Sequence, residues 1–132
     1  MTNFINLRTL KPLLRFDALT CLMMGGLLLL GSGPIASLTQ LPAAFLFWAG
    51  ASLIPVAAFM MLAARGEPVS RLAAALVVGG NLAWVAASIL LPLTGMVAPN
   101  LFGWVFLLGQ AGVVAILTKL EFDALRMQTA IA

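Results

Sequence analysis

The sequence predicts an all-α membrane protein, an up-down-up-down bundle of four transmembrane helices. First, 63% of the 132 residues are hydrophobic and only 8% are charged, against about 25% charged in an ordinary globular domain. Second, the charged residues are confined to three clusters, which leave two uncharged stretches, 18–64 and 72–118. Third, turn-forming residues lie near the middle of each stretch. This small number of charges cannot cover a water-facing surface. The chain must therefore face lipid.

The two uncharged stretches define the spans. As a single helix each would run about 70 Å, more than twice the thickness of a hydrocarbon core of about 30 Å. Each stretch therefore predicts a helical hairpin that turns at its glycines and prolines, namely Gly31, Gly33, Pro34 and Pro42 in the first, and Pro92, Gly95 and Pro99 in the second. The predicted transmembrane domain is 13–120, with spans at about 13–32, 42–64, 70–92 and 100–120. The equal stretches also allow a tandem repeat of two hairpins.

All seven Lys and Arg residues then lie on one side of the membrane. By the positive-inside rule, both termini and the 65–71 loop are expected in the cytoplasm. Residues 1–12 form a cytoplasmic segment that the spacing of Phe4, Leu7 and Leu10 favours as an interfacial helix. Residues 121–132 are expected to form a cytoplasmic helical extension. A cleaved signal peptide is the less favoured alternative, because no A-x-A-like site follows the first span.

The missing residue types narrow the chemistry. There is no His, and Cys21 is the single cysteine, so the chain lacks an imidazole ligand, a neutral-pH base of that type and an intramolecular disulfide. We expect no catalytic residues, no metal site and no cofactor, and we predict that the protein is not an enzyme. The scattered basic residues are a topology signal, so no nucleic acid is expected as a partner.

Three polar side chains are expected at mid-membrane depth. Asn81 lies ten residues, or about 15 Å, from Arg71, and Ser52 and Gln110 lie at similar depth from the opposite turns. We predict a buried polar layer of Ser52, Asn81 and Gln110. Interhelical hydrogen bonding is the favoured interpretation, with Asn81 and Gln110 bonding each other or a backbone carbonyl. The alternative is a polar constriction in a solute path.

Asp17 is expected at the cytoplasmic mouth of the bundle, at the start of the first span. A structural role is favoured, in which it complements the helix dipole and is neutralised by Arg15, Arg71 or Lys119. The alternative is an entry site for a cation or a proton. All four carboxylates are expected at the cytoplasmic margin, and none at the depth of the polar layer.

Two further surfaces are predicted. Small residues at four-residue spacing form a stripe on the third span, opposite its polar face; this small-residue stripe is Ala75, Gly79, Ala83 and Ala87. It is expected to pack against another helix, either inside the bundle or as a docking surface. Trp48, Trp84 and Trp104 are expected in an outer aromatic face, as an interfacial belt or a surface for lipid, quinone or pigment.

Short motifs add a resemblance over about 13–120. They are Leu14-Arg15-x-Asp17-Ala18, then Gly80-Asn81-Leu82-x-Trp84-Val85-x-x-Ser88, and Gln110-Ala111. With these residues the chain resembles small bacterial four-helix integral membrane proteins of unassigned function. The resemblance implies four spans and an inner-membrane location but no reaction.

The favoured function is an accessory or assembly subunit that packs against other membrane helices, lipid or pigment. It depends on the absence of catalytic groups, the small-residue stripe and the aromatic face. The alternative is a small-solute transporter or channel, which would act as a homo-oligomer because four helices enclose little volume. Expected partners are membrane lipids and other transmembrane helices.

Overall fold

The computed structural model describes residues 2–66 and 69–131, and the side chains of 10–66 and 69–126. In these residues it consists of four helices and no strand: α1 (Thr2–Thr39), α2 (Ala43–Ala63), α3 (Arg71–Leu93) and α4 (Leu101–Ile131). All four contain a segment long and apolar enough to cross a membrane, at Leu10–Thr39, Ala43–Ala63, Arg71–Leu93 and Leu101–Arg126. The predicted all-α fold with four membrane-spanning helices is confirmed.

The first helix is longer than the predicted span 13–32. Pro12 and Pro34 both lie inside α1, and only Gly31 departs from helical geometry, with φ −114° and ψ 18°. The turn comes later, where Gln40 adopts a positive φ of 61°. A surface helix ending before Pro12 is therefore not separate from α1. The side chains of Phe4 and Leu7, on which that prediction rests, lie outside the described side chains.

The fourth helix also continues beyond the predicted limit at residue 120. Its apolar segment extends to Arg126, and its backbone is helical to Ile131. Both α1 and α4 thus carry charged residues into the bundle, since Asp17 and Glu121 fall inside their membrane-spanning segments. The charged residues near each terminus therefore do not mark the ends of α1 and α4, whereas Arg65 and Arg71 do lie at the connection between α2 and α3.

The helices are arranged so that α1 packs against α2 and α4, and α3 packs against α4. By contrast, α2 and α3 meet over only a short part of their length. Below the short α2–α3 connection, Leu14, Met60 and Val77 belong to one buried cluster. Leu28, Leu46 and Leu107 belong to another, toward the opposite end. Between these clusters the separation of α2 from α3 leaves space along the bundle.

The closest approach of α1 and α2 depends on two glycines. A Cβ added to Gly50 would lie 2.7 Å from Leu28 Cβ and 2.9 Å from the Gly25 carbonyl oxygen. A Cβ on Gly25 would lie 3.0 Å from the Gly50 carbonyl oxygen. These distances are too short for any larger residue without displacement of a backbone, so the two glycines set the spacing of the helices.

Asn100 joins the two turns at the far end of the bundle. Its side chain accepts a hydrogen bond from the Gly103 amide at 2.9 Å, which caps the start of α4. Its Nδ2 donates to the Leu38 carbonyl at 2.8 Å, and its amide donates to the Thr39 carbonyl at 3.0 Å. The N-terminus of α4 is therefore fixed to the C-terminus of α1.

Candidate functional site

Three helices bring two carboxyl groups and an amide together inside the bundle. Nδ2 of Asn81 on α3 donates to Oδ2 of Asp17 on α1 at 2.9 Å. The same nitrogen donates to Oε1 of Glu121 on α4 at 3.1 Å. The two carboxyl oxygens that share this donor therefore lie within about 6 Å of each other. We call Asp17, Asn81 and Glu121 the acid–amide cluster.

The acid–amide cluster is almost completely buried. The exposed fraction is 1% for Asp17, 0% for Glu121 and 7% for Asn81. Carboxylates inside a membrane protein are costly and normally paired, so their presence indicates a role beyond packing. Two ionised carboxylates this close would also repel each other.

The cluster offers more acceptor atoms than donors. Within the described residues, Oδ1 of Asp17 accepts a hydrogen bond only from the Cys21 thiol, at a sulfur–oxygen distance of 3.8 Å. Oε2 of Glu121 is buried and has no hydrogen-bond partner among the described residues. A buried polar atom without a partner is uncommon in proteins and requires an explanation.

The structure corrects the expected position of these residues. Asp17 and Glu121 are buried between the helices rather than exposed at the end of the bundle, and both fall inside helical segments apolar enough to cross a membrane. The cations expected to neutralise Asp17 lie elsewhere: Arg15 and Arg71 are exposed, and Lys119 pairs with Asp123 at 3.2 Å.

A second hydrogen-bonded group lies further along the bundle. Nε1 of Trp84 donates to Oε1 of Gln110 at 2.7 Å. Nε2 of Gln110 donates to Ser88 Oγ at 2.8 Å and to the Leu107 carbonyl at 2.9 Å. The predicted bond between Asn81 and Gln110 is replaced by two separate groups: Asn81 binds the acids, and Gln110 binds Trp84 and Ser88.

A cavity of about 460 Å³ occupies the space between α2 and α3. Asp17, Asn81 and Gln110 lie in its wall, whereas most of its other lining residues are apolar. Phe59 on α2 and Leu76 on α3 line it and are 40% and 56% exposed. The cavity therefore opens sideways between the two helices, where lipid would surround the bundle. We call it the lateral cavity.

A smaller second cavity of about 110 Å³ lies beyond the lateral cavity, toward the α1–α2 turn. Leu28, Phe45 and Val97 are among its lining residues. Met24, Trp84 and Gln110 line both cavities, so the Trp84–Gln110 hydrogen bond lies where the two meet. The two cavities follow one another along the bundle, with this pair between them.

Ser52 does not belong to the buried polar layer. It is exposed, and its hydroxyl donates to the Ala49 carbonyl of its own helix at 2.7 Å. It has about the expected depth but faces the lateral cavity, where it is one of the lining residues. A polar layer linking all three predicted residues is therefore absent from the described structure.

The small-residue stripe lies on the outside of the bundle. Ala75, Gly79, Ala83 and Ala87 are all exposed, and a Cβ on Gly79 would meet no atom within 4 Å. Packing inside the bundle, the interpretation favoured from the sequence, does not occur for this stripe.

The three tryptophans have different environments. Trp48 is 68% exposed and makes an edge-on contact with Phe47 at a ring-centroid distance of 5.3 Å. Trp104 is half-buried. Trp84 lines both cavities and is hydrogen-bonded inside the bundle, so it does not belong to an outer aromatic face.

No family model matches the chain, and neither curated proteins nor solved structures show a significant match. The fold and hydropathy define a multi-pass membrane protein of four apolar helices. The acid–amide cluster and the two cavities are therefore the features of the structure that indicate its function.

Proposed function

We propose that the protein is a membrane-embedded carrier for small amphipathic solutes, which enter the lateral cavity from the lipid between α2 and α3. The observation that carries the proposal is the lateral cavity itself. It is concave, mostly apolar and of ligand size, and a few polar groups converge in its wall, as in small-molecule sites generally. The solute is bound and moved without being converted, so the proposed function is non-enzymatic.

The second cavity supports movement along the bundle. A solute that left the lateral cavity past Trp84 and Gln110 would enter the second cavity, nearer the opposite end of the helices. The indole of Trp84 is held by one side-chain hydrogen bond to Gln110. Displacement of that one side chain would connect the two cavities.

The proposal places the protein in a bacterial inner membrane, with both termini and the 65–71 loop in the cytoplasm. It is supported by the charge distribution, since all Lys and Arg residues lie toward the same end of the four helices. In this orientation the acid–amide cluster is in the cytoplasmic half.

A matched pair of glycines provides the test. Gly80 lines the lateral cavity and Gly79 does not, while a Cβ on either residue would meet nothing within 4 Å. Gly80→Phe should therefore fill the cavity, and Gly79→Phe should add the same side chain outside it. In variants that retain Trp84 as the single tryptophan, octanol should change Trp84 fluorescence saturably in the Gly79→Phe protein and not in the Gly80→Phe protein.

Carriage is measured in proteoliposomes loaded with octyltrimethylammonium or octyl sulfate, two charged amphiphiles of opposite sign. At least one should leave faster through the parent protein and the Gly79→Phe protein than through the Gly80→Phe protein. An identical octanol response in the two variants would contradict binding in the lateral cavity. Saturable octanol binding without accelerated efflux of either amphiphile would contradict the carrier and leave a binding protein.

An accessory or assembly subunit remains the second candidate, because the small-residue stripe is exposed on α3. Small residues let a neighbouring helix approach closely, and the open space over Gly79 is available to one. Gly79→Phe would block such a contact. If this function holds, a larger membrane protein should co-purify at fixed stoichiometry with the parent protein and with Gly80→Phe, but not with Gly79→Phe. Isolation of all three without a partner would contradict it.

A further inference from the structure

The acid–amide cluster is short of hydrogen-bond donors at the wall of the lateral cavity. Asn81 supplies one nitrogen to two carboxyl groups. Oε2 of Glu121 has no partner among the described residues, and Oδ1 of Asp17 has only the distant Cys21 thiol. An uncompensated buried acceptor is costly. A ligand that brought donors to this wall would remove that cost.

Neither Arg15 nor Lys119, the cation nearest to each acid in the sequence, forms an ion pair with the acid–amide cluster in the described part of the chain. Arg15 is exposed on the surface of α1, and the Lys119 amine forms a salt bridge with Asp123 outside the cavity. From α2 and α3, the neighbouring lining residues Met60 and Val77 add no charge. The wall therefore favours a positive group and disfavours an anion, and the low dielectric of the membrane interior strengthens both effects.

From these observations we infer that the acid–amide cluster binds the ammonium head of an amphipathic primary amine whose apolar part lies in the lateral cavity. This inference rests on the proposed function and specifies its solute. A primary ammonium supplies three N–H donors and one positive charge, which match the free acceptors and the negative charge of the two acids.

Asn81 has a particular part in this binding. Its amide lies in the cavity wall and bridges Asp17 to Glu121. Asp17 and Asn81 line the cavity, whereas Glu121 lies behind these two residues and does not line it. In the empty site Asn81 satisfies one oxygen of each acid. In the occupied site the ammonium takes over this role and has a further N–H for an oxygen that Asn81 leaves free. The amide therefore turns aside when the ammonium enters, and the donors of the ligand replace its own.

Four ligands with the same octyl chain separate charge from hydrogen bonding. Octylammonium has the charge and three donors, octyltrimethylammonium has the charge alone, octanol has one donor without charge, and octyl sulfate has the opposite charge. Binding is followed by the fluorescence of Trp84 in variants that retain it as the single tryptophan. Octylammonium should bind at least about tenfold more tightly than octanol, with octyltrimethylammonium between them and octyl sulfate weakest.

Asp17→Asn should reduce the preference for octylammonium over octanol to about twofold or less, because octylammonium binding weakens. Asp123→Asn is the matched control, because it removes the same charge from a partly exposed residue that does not line the cavity; the preference should persist. Asn81→Ala should tighten octylammonium binding, since it removes the amide that competes for the acids. This second variant keeps the inference testable if Asp17→Asn does not fold.

The failures can be told apart. Equal binding of octylammonium and octanol by the parent protein would overturn the ammonium site and leave the carrier intact. A preference unchanged in Asp17→Asn would also overturn the ammonium site. No saturable binding of any of the four ligands would overturn the proposed function as well.

Discussion

Replacing Asn81 by alanine should destabilise the bundle, whereas loss of the exposed Ser52 side chain in the same cavity should not. The substitution removes two hydrogen bonds, of 2.9 and 3.1 Å, and leaves one oxygen of each acid without its donor. Side-chain hydrogen bonds between membrane helices contribute about 0.6 kcal/mol on average and up to about 1.7 kcal/mol. Two such bonds give an expected loss of about 1–3 kcal/mol in the free energy of unfolding.

The assay is equilibrium unfolding in mixed micelles with increasing sodium dodecyl sulfate, followed by the loss of helical circular dichroism. Ser52→Ala is the control, because Ser52 is exposed and bonds only to its own helix. Its unfolding free energy should change by less than about 0.5 kcal/mol. If Asn81→Ala is no less stable than Ser52→Ala, the acid–amide cluster does not hold α1, α3 and α4 together as described.

Three further predictions concern packing, the path and topology. Gly50→Ala should lower the unfolding free energy by about 1–3 kcal/mol, because its Cβ meets Leu28. Gly79→Ala should be neutral or stabilising by up to about 1 kcal/mol. Equal effects of the two substitutions in the same unfolding assay would contradict the close approach of α1 and α2 at Gly50. Gln110→Leu removes the acceptor of the Trp84 indole, so octyltrimethylammonium efflux from proteoliposomes should accelerate; slower efflux would contradict a partition between the cavities. Gly66→Cys and Met96→Cys should react with impermeant thiol reagents from opposite sides of the membrane, and reaction from one side would contradict the four-span topology.

Charge spacing was sufficient to predict the four spans. The stretches 18–64 and 72–118 are too long for one crossing, and the structure has two helices in each region. The positions of the helix ends were less accurate. Proline and glycine at 31–34 predict a turn, yet α1 only kinks there, at Gly31, and continues as a helix to Thr39. Helix breakers show where a helix can end, while tertiary contacts decide whether it does.

The acid–amide cluster was missed because depth was measured from charged residues. That procedure assigns every carboxylate to the membrane boundary, so it could not place Asp17 or Glu121 beside Asn81. A usable signal was present: Asp17 lies about 1.9 turns inside the apolar segment that begins at Leu10, and Glu121 lies about 1.4 turns inside the one that ends at Arg126. Pairing with a polar residue at similar depth on another helix could have followed from that observation.

The faces of α3 and α2 were unequally predictable. On α3, Asn81, Trp84 and Ser88 have helical spacing and all turn toward the interior, where each is hydrogen-bonded. On α2, Ser52 stands in a nearly uniform apolar sequence, so no periodicity indicates which side faces the other helices. Which helices separate depends on the packing of all four, and this is why the lateral cavity could not be read from any single helix.

The most direct test of the account is a solid-state NMR measurement of the contact between Asn81 and the two acids in liposomes. The protein carries ¹⁵N in its asparagine side chains and ¹³C in its aspartate and glutamate carboxyl groups. One amide nitrogen should show a measurable dipolar coupling to both an aspartate and a glutamate carboxyl carbon, because Nδ2 of Asn81 lies 2.9 and 3.1 Å from oxygens bonded to those carbons. Both couplings should be lost in Asn81→Ala. The absence of an amide coupled to both types of carboxyl would contradict the account.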